Sequence, residues 1–153
     1  MAQARSRSRS AARLAAVQAL YQHEMEGTPV ARLLKEFHDH RLGATIEEAQ
    51  YHEAEHSFFD DIVLGVDARK ADIDTIIGKR LAAGWTLERL DRPMRALLRA
   101  GTYELIARKD VPVGSVISEY VDVAHAFYDK RESAFVNGLL DAVAKEARGA
   151  SVG

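Results

Sequence analysis

Residues 94–105 read Met-Arg-Ala-Leu-Leu-Arg-Ala-Gly-Thr-Tyr-Glu-Leu, and this stretch decides the fold. Met94, Leu97, Leu98, Gly101 and Leu105 recur at the i, i+3, i+4, i+7 spacing of one helix face, where a half-buried strand would alternate. Leu14, Val17, Leu20 and Tyr21 repeat that spacing, and no stretch of the chain alternates convincingly. The sequence therefore predicts an all-α protein.

Working outward from this helix, the same periodicity predicts seven helices, at roughly 8 to 26, 29 to 41, 46 to 66, 68 to 83, 87 to 108, 114 to 128 and 131 to 147. The fifth should break near Pro93, which lacks an amide hydrogen and clashes with the preceding turn. Thr28-Pro29 reads as an N-cap followed by proline at the first helical position, and Thr45 with Glu48 as a capping box. Gly27, Gly43, Gly84 and Val111-Pro112-Val113-Gly114 punctuate the connections. No Pro-, Gly- or Ser-rich linker divides the chain, so residues 1–153 read as one domain. Within it, a basic arm (1–13) leads into an N-terminal lobe of about 8–83 and a C-terminal lobe of about 87–147, meeting near Gly84-Trp85.

Composition narrows the class. A chain of 153 residues, 47% hydrophobic and 29% charged, can bury a sizeable core without staples. With no cysteine, disulfides, thiolate zinc sites and thiol catalysis are excluded, in keeping with a cytoplasmic protein. No apolar run approaches the ~18 residues of a membrane span. The Arg- and Ser-rich start resembles a transit peptide, but it runs unbroken into the first helix, whose apolar stripe the core can use. Residues 1–23 hold Arg5, Arg7, Arg9 and Arg13 and no acid, a charge of +4 that leaves −6 on the rest of a chain of net charge −2. A polyanion would meet this end first.

His52-Glu53-Ala54-Glu55-His56 matches the zincin pattern H-E-x-x-H, two imidazoles one turn apart with a glutamate to activate water. Catalytic zinc needs a third protein ligand, and Phe59 stands where the metzincin extension has glycine. A solvated helix face explains the match better. No nucleophile elbow, P-loop or dinucleotide fingerprint is present, and acids such as Asp60-Asp61 are neighbours in sequence that do not face each other on a helix. Neither an enzyme nor a bound cofactor or metal is expected. Asn137-Gly138 lies within the stripe Phe135, Val136, Leu139, Leu140, Val143, so it is helical rather than a hairpin. A mid-helix glycine costs about 1 kcal/mol, which suggests close packing or an approach from outside.

If the first helix extends backward, Arg5, Arg9 and Arg13 fall at i, i+4 and i+8, a cationic stripe suited to phosphates. Gln18 and Tyr21 continue that helix with an amide and an aromatic face of the kinds used on unstacked bases. Phe127, Tyr128 and Phe135 are core residues by default, with base stacking as the alternative.

Five segments taken in order carry a resemblance: Arg13-Leu-Ala-Ala-Val-Gln-Ala-Leu-Tyr21, Phe59 to Val66, Arg95-Ala-Leu-Leu-Arg-Ala-Gly-Thr-Tyr-Glu-Leu105, Val111-Pro112 through Ile117-Ser-Glu-Tyr-Val121, and Ser133-Ala-Phe-Val-Asn-Gly-Leu-Leu-Asp141. Together they resemble the NusB family over nearly the whole chain. The resemblance implies two small packed helical lobes. It also implies a role in transcription antitermination, in which NusB pairs with NusE, a small-subunit ribosomal protein, and holds the boxA element of nascent RNA on elongating RNA polymerase, notably on ribosomal RNA operons. By motif position it implies an RNA surface of the arm with Arg9 and Arg13, together with Gln18, Arg99, Phe127 and Phe135, to which the charge pattern adds Arg5 and Arg7. Tyr21 matches a tyrosine at the NusE contact, and Met94 stands where a well-known relative has glutamate in that contact. Some members form homodimers that hide the RNA surface, and the sequence leaves that state open. Two readings of other classes compete: a NusB-like helical module for protein contacts, as in RNA methyltransferases that carry one, and the incomplete zincin.

Overall fold

A computed structural model describes residues 2–40 and 49–149, with side chains for 7–39 and 56–149. These residues form seven α-helices and no strand: α1 (Ala2–Glu26), α2 (Val30–His40), α3 (Ala49–Ala68), α4 (Lys70–Arg80), α5 (Arg92–Ala107), α6 (Val113–Phe127) and α7 (Lys130–Arg148). None of them is long and apolar enough to cross a membrane.

The all-α expectation holds, and the departures from the expected boundaries have local causes. The first helix reaches back to Ala2, which carries the arginine stripe into regular structure. Its last turn ends at Gly27, whose φ of +71° suits a residue without a side chain. Pro29, rather than Thr28, takes the position just before α2: its carbonyl accepts from the amides of Arg32 and Leu33 at 3.1 Å, while the Thr28 hydroxyl turns to Glu26. The proposed capping box at Thr45 and Glu48 lies outside the described residues. The break near Pro93 is a change of helix type. A 3₁₀ turn at Leu87–Arg89 gives way to α5, whose N-cap Asp91 accepts the Met94 amide at 3.0 Å with proline in the first turn.

α5 is the axis of the molecule and touches α1, α3, α4, α6 and α7. Every residue from Ala96 to Leu105 is buried, so the stripe that announced the helix is only part of its buried surface. A helix enclosed on all sides must satisfy its polar residues internally. On the α3 side the fit is very close: a Cβ on Gly65 would lie 2.1 Å from the Tyr103 ring, so a larger residue there would force that ring aside. The Tyr103 hydroxyl donates to Asp61 at 2.7 Å, and burial together with that carboxylate pushes its pKa up to about 12. Close by, Arg148 in the last turn of α7 donates to the carbonyls of Glu104, Leu105, Arg108 and Val111. It thereby caps the α5 C-terminus, whose final carbonyls have no partners within the helix.

Candidate nucleic-acid interface

The arginines expected to meet RNA fall into two groups. Arg13 is 4% exposed. Its Nε and one terminal nitrogen donate to the two oxygens of Glu104 at 2.7 and 3.1 Å, and its other terminal nitrogen donates to Glu119 at 3.0 Å. Glu104 is fully buried and also accepts the Tyr120 hydroxyl at 2.6 Å. Burial works against the Arg13 charge, but the bidentate Glu104 carboxylate outweighs it and the net shift of the guanidinium is upward. Burial, then the same carboxylate, raises the Tyr120 phenol well above its usual range. Arg99 is 9% exposed; it pairs bidentately with Asp74 at 2.8 and 3.0 Å and reaches Glu24, which also holds Arg95 at 2.9 Å. In this conformation neither Arg13 nor Arg99 presents itself to a phosphate: both join α5 to its neighbours.

Arg7 and Arg9 lie outside that interior. Arg7 is exposed, and Arg9 is half-exposed with its guanidinium 4.6 Å from the centre of the Phe58 ring. Arg13 and Arg108 approach the same ring at 4.8 and 4.9 Å, so one buried phenylalanine gathers three cations. Arg108 holds the Asp110 carboxyl below its usual range through hydrogen bonds, with a lesser contribution from the charge of Arg9. The Arg5 side chain lies outside the described residues.

Gln18 is exposed one turn before Tyr21, which is half-buried against the core. α1 runs antiparallel to α5: Arg13 meets Glu104 near the C-terminal end of α5, and Glu24 meets Arg95 and Arg99 nearer its start. Arg9 and Tyr21 are twelve residues apart on this helix, a separation of about 18 Å at 1.5 Å per residue. Met94 is buried, so it can touch a partner only through the cavity it lines. Phe127 and Phe135 are 43% and 37% exposed, which departs from the default reading of both as core. Phe127 ends α6 beside Tyr128, whose hydroxyl donates to Asp91. The sequence reading passed over Trp85, half-exposed in the α4–α5 connection with Arg89 stacked on its ring. A lone tryptophan in a connector is the one signal the sequence offers for it.

Of the zincin motif, only His56 has a described side chain. Its ring stacks in parallel on His38 at 4.3 Å, and His38 bonds Asp60 at 2.6 Å, joining α2 to α3. No group of three or more potential metal ligands is found among the described residues.

What the fold and surface define is a small all-helical factor, tied together by buried ion pairs and carrying arginines and aromatic rings at its surface. The family model for the NusB family matches residues 10–145, and the chain belongs to the NusB family. It is 70% identical over 144 residues to the transcription antitermination protein NusB of Sphingopyxis alaskensis, covering 94% of this chain and 97% of that one. With its counterpart from Novosphingobium aromaticivorans it shares 64% identity over 148 residues, 97% of this chain and all of that one. Among solved structures it resembles T. maritima NusB, with a TM-score of 0.75 and 31% identity over 90% of this chain and 91% of that one. It also resembles a chain in a crystal structure of the antitermination factors NusB and NusE in complex with dsRNA, with a TM-score of 0.76 and 30% identity over 92% of this chain and 98% of that one.

Proposed function

We propose that this protein is a non-enzymatic transcription antitermination factor. In this reading it binds a boxA-type single-stranded RNA together with a NusE-type ribosomal protein on elongating RNA polymerase in the cytoplasm, and supports transcription of ribosomal RNA operons. The observation that carries the reading is near end-to-end identity of 70% to a protein named for that role. The surface is compatible with it: Arg5, Arg7 and Arg9 supply the cationic approach, Gln18, Phe127 and Phe135 the base contacts, and Tyr21 the partner side, while Met94, buried in a cavity wall, is assigned no direct contact with the partner. Arg13 and Arg99 are assigned here to holding the helices that present these groups.

Three arm cations neutralise few phosphates, and contacts of that number give binding near 10⁻⁴ to 10⁻⁶ M at physiological salt. A basic ribosomal protein, drawn to the −6 outside the arm, would add the missing contacts. The test is titration of a boxA-like oligonucleotide against a scrambled one, with and without the ribosomal protein. Preference for the boxA-like strand, and an RNA affinity raised by about five- to a hundredfold when the partner is present, are expected. Equal affinities and a coupling factor of one would sink the reading. The burial of Arg13 and Arg99 keeps a second reading in view, a helical protein-interaction module, for which the partner would bind and RNA would not.

A further inference from the structure

Between the α4–α5 connection and the start of α7 opens a cavity of about 460 Å³. Trp85 and Phe135, 50% and 37% exposed, both line it, and Met94 lies among its walls. The Arg89 guanidinium is held over the Trp85 ring, 5.1 Å from its centre, and donates to the Gly84 carbonyl at 2.8 Å. Arg131 also borders the cavity and has no hydrogen-bond or ion-pair partner among the described residues. Of the two acids on the rim, Asp91 is engaged by the Met94 amide and the Tyr128 hydroxyl.

One turn beyond Phe135, on the same helix, stands Gly138. A Cβ built there meets nothing within 4 Å, so no neighbour inside the molecule requires a glycine. Its backbone is helical, so no turn requires it either. The glycine therefore leaves the α7 backbone uncovered at this point, open to an approach from outside the chain.

We propose that this cavity receives one base of the bound single strand against the faces of Trp85 and Phe135, while the sugar-phosphate backbone crosses α7 at Gly138 with Arg89 and Arg131 beside its phosphates. The inference rests on the RNA-binding reading above and adds four residues to it. A partner helix would ask for an elongated groove with repeated apolar anchors. This cavity offers two aromatic rings, Trp85 and Phe135, and two guanidinium groups, Arg89 and Arg131, beside the carboxylates of Asp91 and Glu132, a set of groups that suits a flat base with a phosphate near the arginines.

Trp85 is the single tryptophan of the chain, so its emission reports on the cavity alone. The experiment titrates a fluorophore-labelled boxA-like oligonucleotide into the full chain and follows RNA anisotropy and tryptophan emission together. Saturable quenching that tracks the anisotropy is expected. Trp85→Ala should weaken binding by about five- to a hundredfold, the range for loss of one stacked base, and Trp85→Phe should restore most of it. Gly138→Ala should raise Tm by about 2 to 4 °C, as helix propensity dictates, and still weaken RNA binding. Binding by anisotropy with unchanged emission and an unaffected Trp85→Ala variant would overturn the proposal and leave the antitermination reading standing. A Gly138→Ala variant that is more stable and binds equally well would overturn the crossing at α7. A blue shift produced by the ribosomal protein alone, with no response to RNA, would make the cavity a protein seat and overturn the base assignment. Absence of RNA binding in both signals would end the inference and the functional reading together.

Discussion

Arg9 and Arg13 stand four residues apart on one face of α1, yet they belong to different regions of the molecule. Arg13 is sealed against Glu104, Glu119 and Tyr120, while Arg9 lies over the edge of the same cluster with Phe58 beneath it. The contrast teaches that helical spacing assigns a residue to a face and says nothing about depth. Depth is set here by Glu104 and Glu119, distant in sequence, which the fold closes over Arg13 while Arg9 stays half-exposed. The largest effect we expect tests that division. Arg13→Met leaves Glu104 buried without its cation and should destabilise the protein by about 3–5 kcal/mol in urea denaturation, whereas Arg7→Ala should change stability by less than about 0.5 kcal/mol. Adding Glu104→Gln to Arg13→Met should recover part of the loss, because the stranded charge is gone. A mild Arg13→Met phenotype would show that the ion pair is not held in solution and that the two regions are one.

The same limit explains which parts of the structure were legible beforehand. Element type and order followed from local signals: apolar spacing in Leu97, Leu98 and Leu105, and Pro93 as a break in the fifth helical stretch. The site was legible only where local chemistry decides it. The cationic character of the first turns of α1 could be read directly. The interior roles of Arg13 and Arg99 could not, since nothing near them in sequence announces Glu104 or Asp74. For Phe127 and Phe135 the local default is core and only the resemblance puts them on a binding surface; both are exposed. Trp85 acquires its place only when the connector folds against α7, a contact between distant segments.

A second expectation lies at the far end of α5 from the cavity. Arg148→Ala removes the donor shared by four carbonyls and should cost about 2 kcal/mol, less than Arg13→Met because this side chain is only half-buried and water can replace part of what is lost. Arg148 also holds the Arg108 carbonyl, and Arg108 shares the Phe58 ring with Arg9, so oligonucleotide affinity measured well below Tm should fall at most slightly, through the arm. A large affinity loss in the folded variant would mean that the C-terminal end of α5 positions the proposed RNA surface as a whole. At the surface itself, Phe135→Ala should weaken RNA binding by about tenfold, or 1.4 kcal/mol, with the slope of log affinity against log salt nearly unchanged, because stacking releases no counterions. A flattened slope on losing a neutral ring would indicate that the variant had displaced the neighbouring cations.

The smallest effect is the most discriminating, because it concerns only the arginines left outside the interior. A single strand contributes about −0.7 to the salt slope for each phosphate neutralised. With Arg13 committed to Glu104, the arm offers Arg5, Arg7 and Arg9, and its share of the slope should be near −2 rather than the −3 expected of four exposed cations. Arg9 is in addition held over Phe58 and sits near the negative Asp110, so its release toward a phosphate competes with contacts it already makes. Arg7→Ala combined with Arg9→Ala should therefore flatten the slope by at most about 1.4 and reduce affinity only severalfold at 0.1 M salt, where the Debye length is about 10 Å. Stability should be almost unaffected. Measured beside the wild type over a salt series, a change of slope near that value would place the electrostatic contact on the outer arginines. An unchanged slope would take Arg7 and Arg9 out of the contact and place it on Arg89 and Arg131 at the cavity, or on an Arg13 that leaves its carboxylates when RNA arrives, in which case the buried ion pair would be a latch opened by the ligand rather than a fixture of the fold.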